Sequence, residues 1–477
     1  MRSHRFAVAQ SISILAVAAV VVATAIDAHA APAGRRPDIA ITDVSIVDVE
    51  HARMITPRTV VVSEGRIVAI DAPAKAHVPR GAQRIDGHGR FLIPGLVDMH
   101  VHLFNNASKR PPNTWSFPLY VANGVTAVRE MAALPESIAT VNAWRASASE
   151  GTLVAPRIVA AGVVVDGASP VEAAQRVDAA ADAGADFIKV FSDVSAANWR
   201  AILDESRRRS LPLAGHVPAG VPVLTAATAG QRTDEHLTQV FEACTPIEQR
   251  IIDERRDLAG DALVELSDAQ EPRVLDTYER RKCERVARAL APTGLVQVPT
   301  LVLAWVESKP PDPAMASDPR WKYLRADERA RWQRIATELT PDQRAVAARR
   351  WGVARKIVAT LHDAGVTMLA GTDAPMPGVY PGSALHDELE RFVDAGFTPA
   401  EALRTATLAP ASFLGIADKA GSVDVGKRAD LVLLDADPLH DIRNTRRIEA
   451  VVLDGRPLTR AALDALLAAA ANAAGSN

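Results

Sequence analysis

Six residues whose side chains can bind metal ions stand at the ends of short apolar segments of this 477-residue chain. They are His100, His102, Lys189, His216, His236 and Asp373. His100 and His102 are two residues apart in Gly-Leu-Val-Asp-Met-His-Val-His, so in a strand they point to the same face, where two imidazoles can reach one metal ion. Lys189 lies in the apolar segment Phe-Ile-Lys-Val-Phe, where an unpaired ammonium would be costly to bury. Together these residue types indicate metal-assisted chemistry.

Each residue taken singly also has a structural interpretation. His216 and His236 are each typical of a hydrogen-bonded core histidine. Lys189 fits a lysine that reaches solvent from a strand end, and Asp373 fits a helix N-cap. The metal interpretation therefore requires that the strand ends converge on one point.

The elements that must position these residues are eight short apolar segments, most of them followed by a helical pattern. The predicted strands are residues 91–100, 125–131, 157–161, 186–191, 212–216, 233–236, 296–303 and 367–373. Strands that alternate with helices predict a parallel sheet, and eight of them predict an α/β fold of the (β/α)8 TIM-barrel type. In such a barrel the carboxyl ends of the strands share one face, which is where barrel enzymes keep their active sites.

Both ends of the chain carry short strands with glycine turns. Residues 38–90 and 417–460 are therefore predicted to form one composite β-sandwich domain around a barrel of residues 91–416. Two connections, residues 237–295 and 304–366, are too long for simple crossovers and rich in interleaved Arg and Glu. They are interpreted as solvated helices with ion pairs or as a lid over the barrel mouth, and both interpretations stay open. Residues 461–477 are predicted to form an Ala-rich helical tail.

The first thirty residues have the pattern of a cleaved signal peptide. Arg2 and Arg5 precede an apolar run, and Ala28 and Ala30 supply small residues for cleavage. We therefore expect a periplasmic or secreted protein without a membrane segment after cleavage; an uncleaved anchor is the alternative, although the run is short for a spanning helix.

Composition excludes several other classes of protein. There are 54 Lys and Arg against 57 Asp and Glu, a formal net charge of -3, so the chain lacks the basic footprint of a nucleic-acid-binding protein. Two cysteines, Cys244 and Cys283, rule out a disulfide scaffold or a zinc-thiolate cluster, and whether they pair stays open. A small-molecule substrate is the expected partner, and a homo-oligomer is compatible with the sequence.

Seven motifs make the chain resemble the amidohydrolase superfamily, and within it the imidazolonepropionase-like branch that contains secreted metal-dependent carboxypeptidases and dipeptidases. The motifs are residues 95–102, 188–190, 215–218, 235–236, 371–375, 401–407 and 421–432. The resemblance implies that His100, His102 and Asp373 hold one divalent metal ion, with zinc expected. It implies that His216 and His236 hold the second metal, and that N6-carboxylated Lys189 bridges the two.

The same resemblance implies hydrolysis of an amide or peptide bond in a dipeptide or N-acyl amino acid by metal-bound hydroxide, with Asp373 as general base and acid. A lactonase, organophosphate hydrolase or ester hydrolase could use the same binuclear site, and a non-catalytic metal-binding envelope protein is the alternative from another class. The chain departs from the family where Val217-Pro218 follows His216 and where Glu130 follows Arg129. These departures concern the substrate, for whose carboxylate Arg129 is one candidate clamp.

Overall fold

The computed structural model describes residues 36–104, 111–309, 315–338 and 340–475. The predicted signal peptide lies outside the described residues. The strands are β1 (Ile39–Asp48), β2 (Arg53–Ser63), β3 (Arg66–Asp71), β4 (Gln83–Asp86), β5 (Phe91–Pro94), β6 (Leu96–Val101), β7 (Val125–Ala133), β8 (Arg157–Val164), β9 (Phe187–Val190), β10 (Leu213–Gly215), β11 (Thr233–Glu235), β12 (Val296–Val298), β13 (Leu431–Leu434), β14 (Ile448–Leu453) and β15 (Arg456–Thr459). The helices are α1 (Phe117–Ala122), α2 (Ile138–Glu150), α3 (Pro170–Ala183), α4 (Ala196–Arg208), α5 (Val223–Thr228), α6 (Val240–Ala243), α7 (Glu248–Arg255), α8 (Gly260–Asp276), α9 (Arg280–Leu290), α10 (Leu301–Glu307), α11 (Ala326–Glu338), α12 (Pro341–Asp363), α13 (Ser383–Asp394), α14 (Pro399–Thr405), α15 (Leu408–Phe413) and α16 (Arg460–Gly475).

Parallel strands form the predicted barrel. β6 to β10 make one five-stranded parallel sheet, and β11 pairs in parallel with β12. The segment 367–374 closes the ring between β12 and β6, since the Leu369 amide donates to the Gln297 carbonyl and the Asp373 amide donates to the His100 carbonyl. The carboxyl ends of the strands therefore lie at one mouth, as the barrel prediction requires.

Three strand predictions were wrong in detail. Residues 91–100 are not one strand, because the chain passes at Gly95 from β5 in the terminal sheet to β6 in the barrel. A Cβ at Gly95 would lie 2.1 Å from Thr126 Oγ1, so only glycine allows this close crossing. The predicted strand 296–303 ends at Val298, because Pro299 cannot donate to a ladder and helix α10 begins at Leu301. Residues 367–373 make bridging hydrogen bonds without forming a regular strand.

The two chain ends share one eight-stranded sheet. β13 from the C-terminal part pairs antiparallel with β5 from the N-terminal part, with Leu433 opposite Leu92. Side chains of β13 alternate in their packing: Leu431 and Leu433 belong to the core of this sheet, whereas Val432 and Leu434 join the core of the barrel. Because side chains alternate along β13, one face of the terminal sheet packs against the barrel.

The long connections are helical. The first contains α6 to α9 and the second contains α10 to α12. Buried Cys244 and Cys283 form a disulfide that ties the end of α6 to α9, which settles the pairing that the sequence left open. Exposed faces carry ion pairs four residues apart, such as Arg250 with Glu254. Within the described parts of the chain, every helix is too short or too polar to span a bilayer.

Candidate active site

The carboxyl ends of the barrel strands bring the six predicted site residues together. Lys189 lies within β9, and the other five lie at the end of β6, just beyond β6, β10 and β11, or in the closing segment. The His100 ring centre is 5.3 Å from that of His102 and 4.8 Å from that of His236, and the His236 ring centre is 4.9 Å from that of His216. Four imidazoles from three strand ends thus form a continuous row of rings.

At one end of this row of imidazoles, the carboxylate of Asp373 lies between two rings. Asp373 Oδ1 lies 2.6 Å from His102 Nε2 and 3.1 Å from His100 Nε2. The ligand atoms of these three residues all lie within 4.8 Å of one another. Burial alone would raise the pKa of Asp373, but the two histidines hold that pKa well below its ordinary value. The carboxylate is therefore ionised at neutral pH, as a metal ligand must be.

At the other end of the row of imidazoles, two rings each have one nitrogen hydrogen-bonded to a side-chain hydroxyl. His216 Nδ1 is 2.8 Å from Ser192 Oγ, and His236 Nδ1 is 2.6 Å from Thr300 Oγ1. Burial, with the positive charge of Lys189, lowers the pKa of His216 well below its usual range, and burial lowers the pKa of His236 to about 3. Both rings are therefore neutral. Metal-binding histidines are oriented by such bonds to the nitrogen that does not bind the metal.

Lys189 is fully buried, and no described residue accepts a hydrogen bond from its Nζ. Burial lowers the pKa of its ammonium to about 8. A buried amine without a partner is costly in a core, and carboxylation by carbon dioxide would convert it into an anion that a pair of divalent metal ions can share. The donor set of neutral imidazoles, an ionised carboxylate and this lysine therefore fits two divalent metals, with nitrogen and oxygen ligands that suit zinc.

The sequence reasoning missed the residue that orients His100. Glu235 is completely buried, and its carboxylate accepts from His100 Nδ1 at 2.9 Å, from Arg129 Nη2 at 2.8 Å and from Thr233 Oγ1 at 2.5 Å. Burial would raise the pKa of Glu235, but Arg129 and His100 lower it overall. Glu235 was part of the Glu-His motif, but only its neighbour had been assigned a role.

Arg129 does not clamp a substrate, contrary to the expectation. It is buried, and its Nε donates to the Met99 carbonyl at 2.6 Å while Nη2 binds Glu235. The guanidinium is instead used to compensate the buried Glu235 charge.

A cavity of about 300 Å³ lies beside His236 and is roofed by helices of the two long connections. α8 supplies Asp268 and Glu271, and α12 supplies Arg350. Arg350 Nε donates to Glu271, and no described residue binds the two terminal nitrogens of its guanidinium. Residues of α8 and α12 therefore line a cavity beside His236, which favours the lid interpretation for these two helices.

His386 on α13 is a buried core residue. Its Nε2 donates to the Asn123 carbonyl at 3.0 Å, and its Nδ1 faces Thr445 Oγ1 at 2.9 Å. Neither partner belongs to the candidate site. In the second long connection, Trp321 packs edge-on against Trp332.

The fold and the donor set define a TIM barrel with a candidate metal site at the carboxyl ends of its strands. The family model of the amidohydrolase family matches residues 91–458, and the chain belongs to this family. This membership confirms the family that the seven motifs predicted.

Two curated relatives and one solved structure show how far the similarity extends. Imidazolonepropionase of Cupriavidus necator is 26% identical over 81% of this chain and 86% of that protein. Adenine deaminase 2 of Latilactobacillus sakei is 31% identical over 44% of this chain, and the match spans only 38% of that protein. The structure of a putative prolidase from Bifidobacterium longum superposes with a TM-score of 0.64 at 24% identity, over 92% of this chain and all of that one, which confirms the fold.

Proposed function

We propose that this protein is a secreted binuclear metal hydrolase that cleaves the amide or peptide bond of a small substrate, a dipeptide or an N-acyl amino acid. The observation that carries the proposal is the convergence of neutral His216 and His236, ionised Asp373 and unpartnered Lys189 on one strand-end site. His100, His102 and Asp373 would hold one metal ion, and His216 and His236 the second, with carboxylated Lys189 between them.

When bound, two divalent ions supply Lewis acidity that lowers the pKa of a water towards roughly 7 and polarises the scissile carbonyl. The chain contributes the proton transfers and the positioning. Asp373, which is ionised, accepts the proton of the attacking water and passes it to the leaving amine. Glu235 fixes His100 so that its Nε2 faces Asp373, and α8 and α12 restrict water at the mouth.

The cavity beside His236 favours a zwitterionic dipeptide over an N-acyl amino acid. The free end of the Arg350 guanidinium fits a substrate carboxylate, which arginine binds through two parallel hydrogen bonds. Asp268 and Glu271 lie on the same wall and would face a free amino terminus. Burial and the neighbouring charge of Glu271 raise the pKa of Asp268, and the nearby Arg350 and Arg255 offset this rise only in part.

Secretion is part of the proposal. The amino-terminal pattern supports it, and so does the Cys244–Cys283 disulfide, because such bonds persist in oxidising compartments. Fractionation of producing cells should place a chain that starts near residue 31 in the periplasm or medium, and a full-length cytosolic chain would contradict this part.

Parallel kinetics test the substrate. The zinc-loaded protein is assayed on Ala-Pro and Ala-Leu dipeptides, their N-acetyl forms, a lactone, an aryl ester and adenine. We expect dipeptides to have the highest kcat/KM. Arg350→Gln should raise the KM for dipeptides about tenfold or more, since it removes a charge-assisted pair worth roughly 1.5–3 kcal/mol. Arg334→Gln, on α11 outside the cavity lining, is the matched control. Turnover of only the ester, lactone or adenine would contradict the proposal.

A further inference from the structure

A second cavity lies at the opposite end of the barrel from the metal ligands. Its volume is about 400 Å³, within the usual range for small-molecule sites. It is lined by the amino-terminal end of β8, by α2, and by residues of β14 and β15 in the terminal sheet. Because the proposed metal ligands lie at the carboxyl ends of the strands, a molecule in this cavity would leave the metal site free.

The walls combine apolar surface with an excess of positive charge. The apolar side includes Trp144, Leu153, Leu414, Leu453 and Leu458. The charged side chains of the lining are four arginines and two aspartates, so the wall carries a net charge of 4 - 2 = +2. They are Arg145, Arg157, Arg428, Arg456, Asp186 and Asp454.

Two of the four arginines account for most of this excess. Arg145 is neutralised by Asp186 at 2.7 Å, and Arg456 contacts Asp454 at 3.1 Å. Arg157 shares Asp454 with Arg456 and lies 3.7 Å from Asp430, and no described residue accepts a hydrogen bond from its buried Nε.

Arg428 is half-buried, and its side chain makes no hydrogen bond or ion pair with the described residues. It also lines a small adjoining cavity together with Arg157 and Asp430. Burial and the charge of Arg157 lower the pKa of Arg428, which means that its charge is destabilised as the protein stands. An anion placed between the two guanidiniums would relieve this cost.

We propose that this cavity binds an organic carboxylate with an apolar body, an aryl or branched alkyl acid, with its carboxylate on Arg428 and Arg157 and its body against Trp144 and the surrounding leucines. A purely inorganic anion would leave the apolar wall unused. A neutral apolar molecule would leave the Arg428 guanidinium without a partner among the described residues.

Isothermal titration of the zinc-loaded full chain with 4-phenylbutyrate tests the proposal. We expect saturable binding of one molecule per chain, and at least tenfold weaker binding of the neutral analogue 4-phenylbutanamide. Arg428→Gln should weaken binding of the acid tenfold or more, while Arg281→Gln on the exposed side of α9 should leave it unchanged. Arg428→Lys keeps the positive charge but loses the parallel N–H donors of the guanidinium, so it should bind the acid with intermediate affinity. This variant tests the proposal if Arg428→Gln does not fold.

The same titration after chelation separates this site from the metal centre. Affinity for 4-phenylbutyrate should be unchanged without metal, because the cavity contains none of the proposed ligands. Loss of binding on chelation, equal affinity in Arg428→Gln, or a Kd above about 10 mM for the native chain would overturn the proposal. The readout needs no turnover, so it stands or falls independently of the hydrolytic function.

Discussion

Replacing Glu235 by Gln should weaken metal binding and lower the free energy of unfolding at the same time. The carboxylate accepts from His100 Nδ1 on one oxygen and from Arg129 and Thr233 on the other. A Gln amide that keeps its oxygen towards Arg129 turns its NH2 towards His100 Nδ1. That nitrogen must then accept, so the ring proton moves to Nε2, and the lone pair that faces the metal site is lost.

The flipped amide is no better, because its NH2 would face the Arg129 guanidinium. Either way Arg129, which is buried, loses the anion that compensates it. Breaking a buried ion pair costs roughly 3–5 kcal/mol, and loss of a group that orients a metal-binding histidine costs about 10–100-fold in metal affinity.

The assays are urea unfolding of the metal-free protein and a competitive chelator titration of the zinc-loaded protein. Glu388→Gln is the matched control. Glu388 is also completely buried, but burial raises its pKa to about 8, so the substitution replaces one neutral group by another and should cost less than about 1 kcal/mol. If Glu235→Gln keeps native zinc affinity and native stability, the reasoning about His100 is refuted.

Two further predictions concern stability away from the metal centre. Burial lowers the pKa of His386 to about 3, against roughly 6.5 in the unfolded chain. As the pH falls below about 6.5, the unfolded state is therefore protonated first, and the free energy of unfolding decreases. Between pH 7 and pH 5 this loss amounts to about 2 kcal/mol, and His386→Gln should show a correspondingly flatter stability curve in urea titrations; parallel curves would contradict the assignment. Reduction of the Cys244–Cys283 disulfide, whose partners are 39 residues apart, should lower the free energy of unfolding by about 3–4 kcal/mol in calorimetry. The double variant with both cysteines changed to Ala should not respond to reductant, and a native protein equally insensitive to reductant would count against a stabilising disulfide.

The barrel and the convergence of its candidate site residues could be predicted from the sequence because their signals are local. Apolar runs that end in a polar ligand mark the strands, and the parallel barrel gathers their carboxyl ends at one mouth. The predicted strand 91–100 continued across Gly95, because the passage of the chain from one sheet to another does not change the apolar pattern. What reveals the switch is the close approach to Thr126, which is a tertiary contact.

The groups that act through tertiary contacts could not be read in this way. Glu235 and Arg129 are 106 residues apart, and only the folded barrel shows that they neutralise each other. Arg350 and Glu271 meet over the cavity from two different insertions, 79 residues apart. Charge runs on such helices look alike whether they face solvent or a site, so the sequence left both interpretations open.

The central claim is that six strand-end residues form one binuclear hydrolytic site bridged by Lys189. Titration of the metal-free protein with zinc, read out by hydrolysis of Ala-Pro, tests it most directly. We expect activity to rise until two zinc ions per chain are bound, and Lys189→Ala to bind at most one tightly with activity reduced by at least a hundredfold. Full activity at one zinc per chain, or a Lys189→Ala variant that keeps two zinc ions and native turnover, would contradict the account.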